Sequence, residues 1–176
     1  MKVIISIHLI WCEIIFKLFG FYETSIFLSK IGFIYGNKLR YQFYKRHLKS
    51  LGDNVLFSYG TILSHCDISI GNNVRLGPYN TIALVDIGDD VMTGQFVHFM
   101  SGSNQHGFED RTVPMRIQPG KLRRIKIGND VWIGCNSVIM TDVNNHLIVG
   151  AGSVVTKLTE EFMIIGGSPA KIIKER

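Results

Sequence analysis

The stretch IGNDVWIGCNSV, residues 127–138, is two hexads in tandem, each opening on isoleucine and glycine. The same hexad recurs as LGDNVL from Leu51, FSYGTI from Phe57, IGNNVR from Ile70, LGPYNT from Leu76, IGDDVM from Ile87 and VGAGSV from Val149. The pattern is a large inward residue, usually Gly, two small polar residues, then Val, Ser or Thr. One hexad supplies a short strand and a corner. Three hexads close a triangular coil, whose aliphatic residues point inward and stack on their copies above and below. Gly and Asn suit the corners, where ordinary side chains are strained. A sandwich with Gly-rich turns would instead alternate with period two between widely spaced turns. The repetition of I-G-[ND]-[ND]-V from residues 70, 87 and 127 favours the coil, so the expected fold is all-β, a parallel β-helix.

The register slips. Leu63 to Ile70 is one residue longer than a hexad, and Ile82 to Ile87 is one shorter. Ile139 to Val149 spans ten residues where two hexads need twelve, so MTDVNNHL is expected to cut a corner. A polar insert, SGSNQHGFEDRTVPMRIQPGKLRR, occupies about residues 101–124. Two domains are expected: an N-terminal amphipathic helical segment, 1–50, and a β-helix over 51–176.

Composition narrows the functions. Hydrophobic content of 46% with 19% charged residues supports a packed core and argues against disorder. The net charge of +5 suits an anionic partner such as a phosphorylated cofactor or a phospholipid surface. Nucleic acid is not an expected partner, because the basic residues are scattered and no nucleic-acid module is present. Cys12, Cys66 and Cys135 are odd in number and far apart, which fits neither a disulfide framework nor a CxxC metal site and suggests a reducing cytoplasm. No metal is expected, since His65, His98 and His106 lack metal-ligand spacing.

The opening MKVIISIHLIWCEIIFKLFGF resembles a targeting segment only superficially. Its apolar run ends in Trp11, Cys12 and Glu13 rather than small residues. Charges at Glu13, Lys17 and Glu23 interrupt it as a membrane span. Ser6, Glu13, Lys17 and Gly20 form one narrow polar stripe on a helix, with Glu13 and Lys17 one turn apart. A buried or interfacial helix is expected. With Lys38, Arg40, Lys45, Arg46, His47 and Lys49 behind it, the segment is either a peripheral contact at the inner face of the cytoplasmic membrane or a cap on the β-helix.

IGNDVWIGCNSVIM followed by VGAGSVVTKLTEEFMIIGGSPAKIIKER resembles the hexapeptide-repeat acetyltransferases that acetylate galactosides, maltose and xenobiotics. The insert NQHGFEDRTVPM is similar to the branch acting on O-antigen, capsule and colanic-acid sugars. The resemblance covers residues 51–176 and implies a left-handed coil with a short C-terminal helix after Pro169. It also implies a homotrimer with a site in each cleft between subunits, CoA and a saccharide acceptor as partners, and acetyl-CoA as co-substrate. The implied reaction is O-acetylation of a sugar hydroxyl of a cell-surface polysaccharide or its precursor. N-acetylation of a nucleotide-linked amino sugar, and a non-catalytic scaffold or carbohydrate-binding module, remain the alternatives.

Such a transfer needs a base at the acceptor oxygen, an N–H for the developing oxyanion and a groove for the cofactor. His106 is the candidate base, since imidazole titrates near neutrality. Relatives often read H-x-H-G where this chain reads Asn104-Gln105-His106-Gly107, so one candidate imidazole is replaced by Asn104. His98, on a strand, is the competing histidine. Asn104, Glu109, Asp110 and Trp132 are candidates for orienting the base or holding the acceptor. By resemblance, the backbone N–H of Cys135 faces the thioester carbonyl, so Cys135 need not be a nucleophile. Trp132, Ala151, Gly152, Thr156, Lys157, Lys171 and Lys174 are the candidate cofactor contacts, the lysines near phosphate.

Overall fold

The computed structural model describes residues 2–176; Met1, where the N-terminal segment begins, lies outside the described residues. Two helices, α1 (Lys2–Ser29) and α2 (Phe33–His47), precede the strands. The strands then run in triplets: β1 (Ser50–Leu51), β2 (Leu56–Phe57), β3 (Ile62–Leu63); β4 (Ser69–Ile70), β5 (Arg75–Leu76), β6 (Thr81–Ile82); β7 (Val85–Ile87), β8 (Met92–Thr93), β9 (His98–Phe99). After the insert come β10 (Ile125–Ile127), β11 (Trp132–Ile133) and β12 (Val138–Ile139), then β13 (Ile148–Val149), β14 (Val154–Val155), β15 (Met163–Gly166) and β16 (Lys171–Glu175). Each of the first four coils gives one strand to each of three parallel faces. The first face is β1-β4-β7-β10, the second β2-β5-β8-β11-β13-β15 and the third β3-β6-β9-β12-β14. This is the left-handed parallel β-helix.

The hexad explains the core. Its leading residues stack inside the faces: Leu51, Ile70, Ile87 and Ile127 on the first, Phe57, Leu76, Ile133 and Val149 on the second, Leu63, Ile82, Phe99, Ile139 and Val155 on the third, all buried. The slips in spacing appear as coils of 19, then 17, then 16 residues between stacked partners. MTDVNNHL does cut a corner. The first side of that coil shrinks to a single bridge between Val143 and Ile127, and the Asp142 carboxylate accepts from the Lys126 N–H.

The two ends of the coil are closed differently. At the start, the second half of α1 and α2 cover the otherwise unpaired edge of β2 and β3, which open edges require. Ser25 Oγ accepts from Leu63 N–H, and Ser29 O from Gly60 N–H. The buried Arg40 guanidinium donates to the carbonyls of Phe57, Leu28 and Ile31 and to Asn37 Oδ1. At the far end, the expected C-terminal helix is instead β16, antiparallel to β15. The exposed edge of β15 needs partners, the chain reverses through Gly167 at φ 97°, and Ile172 and Ile173 favour an extended backbone.

The N-terminal stripe is also wired differently from expectation. Glu13 faces α2 rather than Lys17: its carboxylate lies 3.0 Å from His47 Nε2 and 3.5 Å from Arg46. Leu9 and Cys12 form the buried side, with Phe16 half-buried against Phe43 and His47. The opposite side, including Ile4, Ile7, Ile10, Trp11, Ile14 and Leu18, is exposed. Residues Ile4–Ser29 are long and apolar enough by composition to cross a membrane, with an 18-residue window of mean hydropathy 1.8.

Candidate active site

The corners between faces are not alike. Between the first and second faces the fifth hexad residue is apolar: Val55, Val74, Val91, Val131 and Leu147, all buried. Between the second and third faces it is Thr61, Asn80, Val97, Ser137 and Ser153, mostly small and polar, and equally buried. These hydroxyls and amides brace the corner, within a turn and from one coil to the next. Thr61 Oγ1 donates to Gly77 O, Ser137 Oγ and Ser153 Oγ to Gly150 O, while Asn80 Oδ1 accepts from Val97 N–H. The carbonyls of Gly77 and Gly150 are thereby engaged from the buried side.

Several amides of this corner are left without a partner. The N–H groups of Tyr59, Gln95, Cys135 and Ala151 donate to no acceptor among the described residues. A row of free donors runs up this corner, one per coil except where Pro78 has no N–H. Ala151 and Gly152 leave it without bulk, and Gly152 N–H donates to Cys135 O, which fixes the turn. Gly94 is required beneath Cys135, since a Cβ there would stand 2.5 Å from its Sγ. Half-buried Cys135 therefore sits at a rigid turn with its amide free. Trp132 lies three residues earlier on the outer side of the second face, 53% exposed, between Met92 and Ile148. Such a corner fits an extended chain carrying amides and carbonyls, as a pantetheine arm does.

The insert leaves from the end of β9 and returns into β10, so it springs from the third corner, between the third and first faces. Its two limbs are joined where Asn104 O accepts from Lys121 N–H and Ser101 O from Arg123 N–H. Its root is pinned by Arg124, which binds Asp86 at 2.8 Å and the Asp67 carboxylate, and by Arg123 with Asp142 at 3.3 Å. His106 rides on this loop, exposed, with no side-chain hydrogen bond among the described residues. The residues proposed to orient it are engaged elsewhere or stand apart. Asp110 accepts from Thr112 N–H and Oγ1, and those bonds hold its carboxyl below the usual range. Asn104 Oδ1 accepts from Ser103, and Glu109 is exposed without a bond to the ring. His98 is on the outer side of the third face, hydrogen-bonded to Thr81 Oγ1.

Within one chain, then, Cys135, Ala151 and Gly152 share the second corner with Trp132 alongside. His106 rises from the third, as do Thr156 and Lys157, two coils further on. Lys171 and Lys174 are exposed on β16 at the far end of the second face. Among the described residues no group of three or more His, Cys, Asp or Glu could hold a metal ion. What reasoning from sequence passed over is the difference between corners, although it was visible as Val against Ser or Thr at the fifth hexad position.

The molecule is thus a left-handed coil with a row of free amides up its second corner and one long loop at its third. No family model matches the chain. It is 31% identical over 159 residues to the dTDP-4-amino-4,6-dideoxy-D-glucose acyltransferase of Escherichia coli, covering 73% of this chain and 82% of that protein. It is 32% identical over 143 residues to the galactoside O-acetyltransferase of Escherichia coli K12, covering 74% and 66%. With the chloramphenicol acetyltransferase of Klebsiella aerogenes it shares 46% identity over 52 residues, and it spans a quarter (25%) of that protein's length. In fold it is similar to a galactoside acetyltransferase solved with coenzyme A, at a TM-score of 0.64, 22% identity, and coverage of 87% of this chain and 78% of that one. The chain belongs to the hexapeptide-repeat acetyltransferases.

Proposed function

We propose that the protein transfers acetyl from acetyl-CoA to a sugar hydroxyl of a cell-surface polysaccharide or its precursor. The observation that carries this reading is the second corner, with its free amides at Cys135 and Ala151 beside the unencumbered Gly152. In the proposed reaction His106 takes the proton of the acceptor hydroxyl as its oxygen attacks the thioester carbonyl. The Cys135 N–H donates to the resulting oxyanion. Collapse breaks the C–S bond, and the imidazolium returns its proton to the leaving thiolate, giving an acetyl ester and free CoA. Trp132, Thr156, Lys157, Lys171 and Lys174 are proposed cofactor contacts, the lysines as point charges for phosphate. Because loop and amide corner lie on different corners of one chain, the reading requires His106 to come from a neighbouring copy, and a cyclic trimer meets that need.

The experiment is a screen of saccharide acceptors with acetyl-CoA, comparing wild type with His106→Ala. Turnover should fall by about 10²–10⁴-fold, with CoA still raising the melting temperature of both proteins. Undiminished turnover in the variant would remove the base from the account. N-acylation is the second reading, favoured by the 82% coverage of the dTDP-amino-sugar acyltransferase. Amino sugars belong in the same screen, and an amide product in place of an ester would select it.

We further propose that α1 rests on the inner face of the cytoplasmic membrane without crossing it. Gly20, at φ 84°, breaks α1, and Phe21, Thr24, Ser25, Leu28 and Ser29 beyond it are buried. The part before the break is itself tied to the domain: Leu9 and Cys12 are buried, Phe16 packs on Phe43 and His47, and Glu13 lies 3.0 Å from His47, so only its other side is open to lipid. Its exposed isoleucines and Trp11 suit burial in the interface, and α2 beside it carries no acidic residue. Full-length protein should co-sediment with anionic vesicles. Failure to do so, or equal binding after Trp11→Ser and Leu18→Ser, would dismiss this contact.

A further inference from the structure

The corner with the free amides also bears a column of aromatic rings that the proposed reaction leaves unused. Once per coil a residue of this corner takes left-handed backbone: Gly60 at φ 78°, Tyr79 at 57°, Phe96 at 56°, Asn136 at 58° and Gly152 at 69°. Glycine and asparagine favour that region, whereas a bulky side chain there is crowded against the following carbonyl. Tyr79 and Phe96 adopt it all the same. Their rings stack 5.1 Å apart and within 8° of parallel, and Tyr59 meets Tyr79 edge-on at 5.7 Å. Gly60 makes room for this arrangement, because a Cβ there would stand 2.4 Å from the Tyr79 ring.

The rings do not serve the core. Tyr59, Tyr79 and Phe96 are 40%, 42% and 40% exposed, and neither phenol hydroxyl has a hydrogen-bond partner among the described residues. The interior beneath them is filled by Phe57, Leu76 and Val97. Strained backbone that holds apolar surface outward is typical of ligand sites. The stacked pair His146–Phe162 differs, because His146 is tied to Asp130, which also holds Arg176.

Parallel rings in contact at a 5.1 Å centroid spacing must be offset like stairs, so part of each face stays open. The C–H-lined face of a pyranose ring is apolar and lies flat against such a surface, drawn by apolar burial and by the negative aromatic face. Phe96 is one coil and Tyr79 two coils from the turn that holds Cys135 and Asn136, at ~4.8 Å per coil. We propose that Tyr59, Tyr79 and Phe96 form a stacking platform for the pyranose rings of an oligosaccharide acceptor, with Phe96 beneath the sugar that is acetylated. This rests on the reading of the second corner as the cofactor's, and it makes a chain of two or three sugars, rather than a single one, the preferred acceptor.

Tyr79→Asn with Phe96→Asn removes both rings while keeping residues that tolerate the backbone. Wild type and this double variant, each saturated with CoA, are applied to an array of immobilised oligosaccharides. Their CoA-induced thermal shifts and sedimentation masses are measured alongside. The platform predicts retention of wild type on a subset of glycans and at least tenfold weaker retention of the variant, with thermal shift and mass unchanged. Equal retention of both proteins, or retention of wild type on no glycan, would overturn it. A lower mass for the variant would also overturn it, by making the column a subunit contact. A wild type that CoA fails to stabilise would instead overturn the cofactor reading beneath it.

Discussion

At the scale of single residues, the chemistry proposed here depends on backbone more than on side chains. Cys135 contributes an amide, and the turn that carries it is fixed by Gly94 below and Gly152 above. Gly94→Ala would place a Cβ 2.5 Å from Cys135 Sγ and 2.7 Å from its nitrogen. We expect a loss of about 1–3 kcal/mol in stability together with a reduced CoA-induced thermal shift, both read from melting curves with and without the cofactor. An unchanged shift would separate the Cys135 turn from cofactor binding. Residue types were legible in the sequence here, and their engagements were not. Asp110 looked like a partner for His106 because it is near in sequence, yet Thr112 is nearer in space and satisfies it.

Elements were legible in proportion to their periodicity. Every hexad quoted from sequence became a strand and a corner, and even the slipped spacings reappear as unequal coils, because the inward aliphatic ladder tolerates no other register. The C-terminal segment has no such period, and its strand was missed because the need to pair the edge of β15 is a property of the stack. The helical cap shows a similar limit: Glu13 and Lys17 are spaced to pair, but His47 of α2 lies closer to hand. The cap also carries a pH signature. Burial holds the Cys12 thiol up to about 11 and the Tyr44 phenol up to about 12, the latter hydrogen-bonded to Ser25. Both groups bind their protons more tightly folded than unfolded. Their contribution is therefore complete below about pH 9, where an unfolded thiol begins to ionise, and is lost as pH rises through 11 and 12. Denaturation midpoints should fall between pH 9 and 12, and Tyr44→Phe should flatten the upper part of that fall. A flat profile in wild type would contradict the buried placement of both groups.

At the scale of the whole molecule, one chain holds the parts of the reaction on separate corners. The loop with His106 springs from the third corner and the free amides line the second, so the proposed catalysis is a property of the assembly. Sequence could suggest this only through family resemblance, since no hexad encodes which corner faces a neighbour. The most direct measurement is subunit complementation. His106→Ala subunits keep the corner, and Ala151→Trp subunits keep the histidine while filling the groove beside Gly152. Co-expressed and assayed for acetyl transfer, mixed assemblies should recover activity that neither parent has, because some clefts then combine an intact histidine with an intact corner. Mixed assemblies no more active than the better parent, although both variants assemble together, would contradict a site shared between chains.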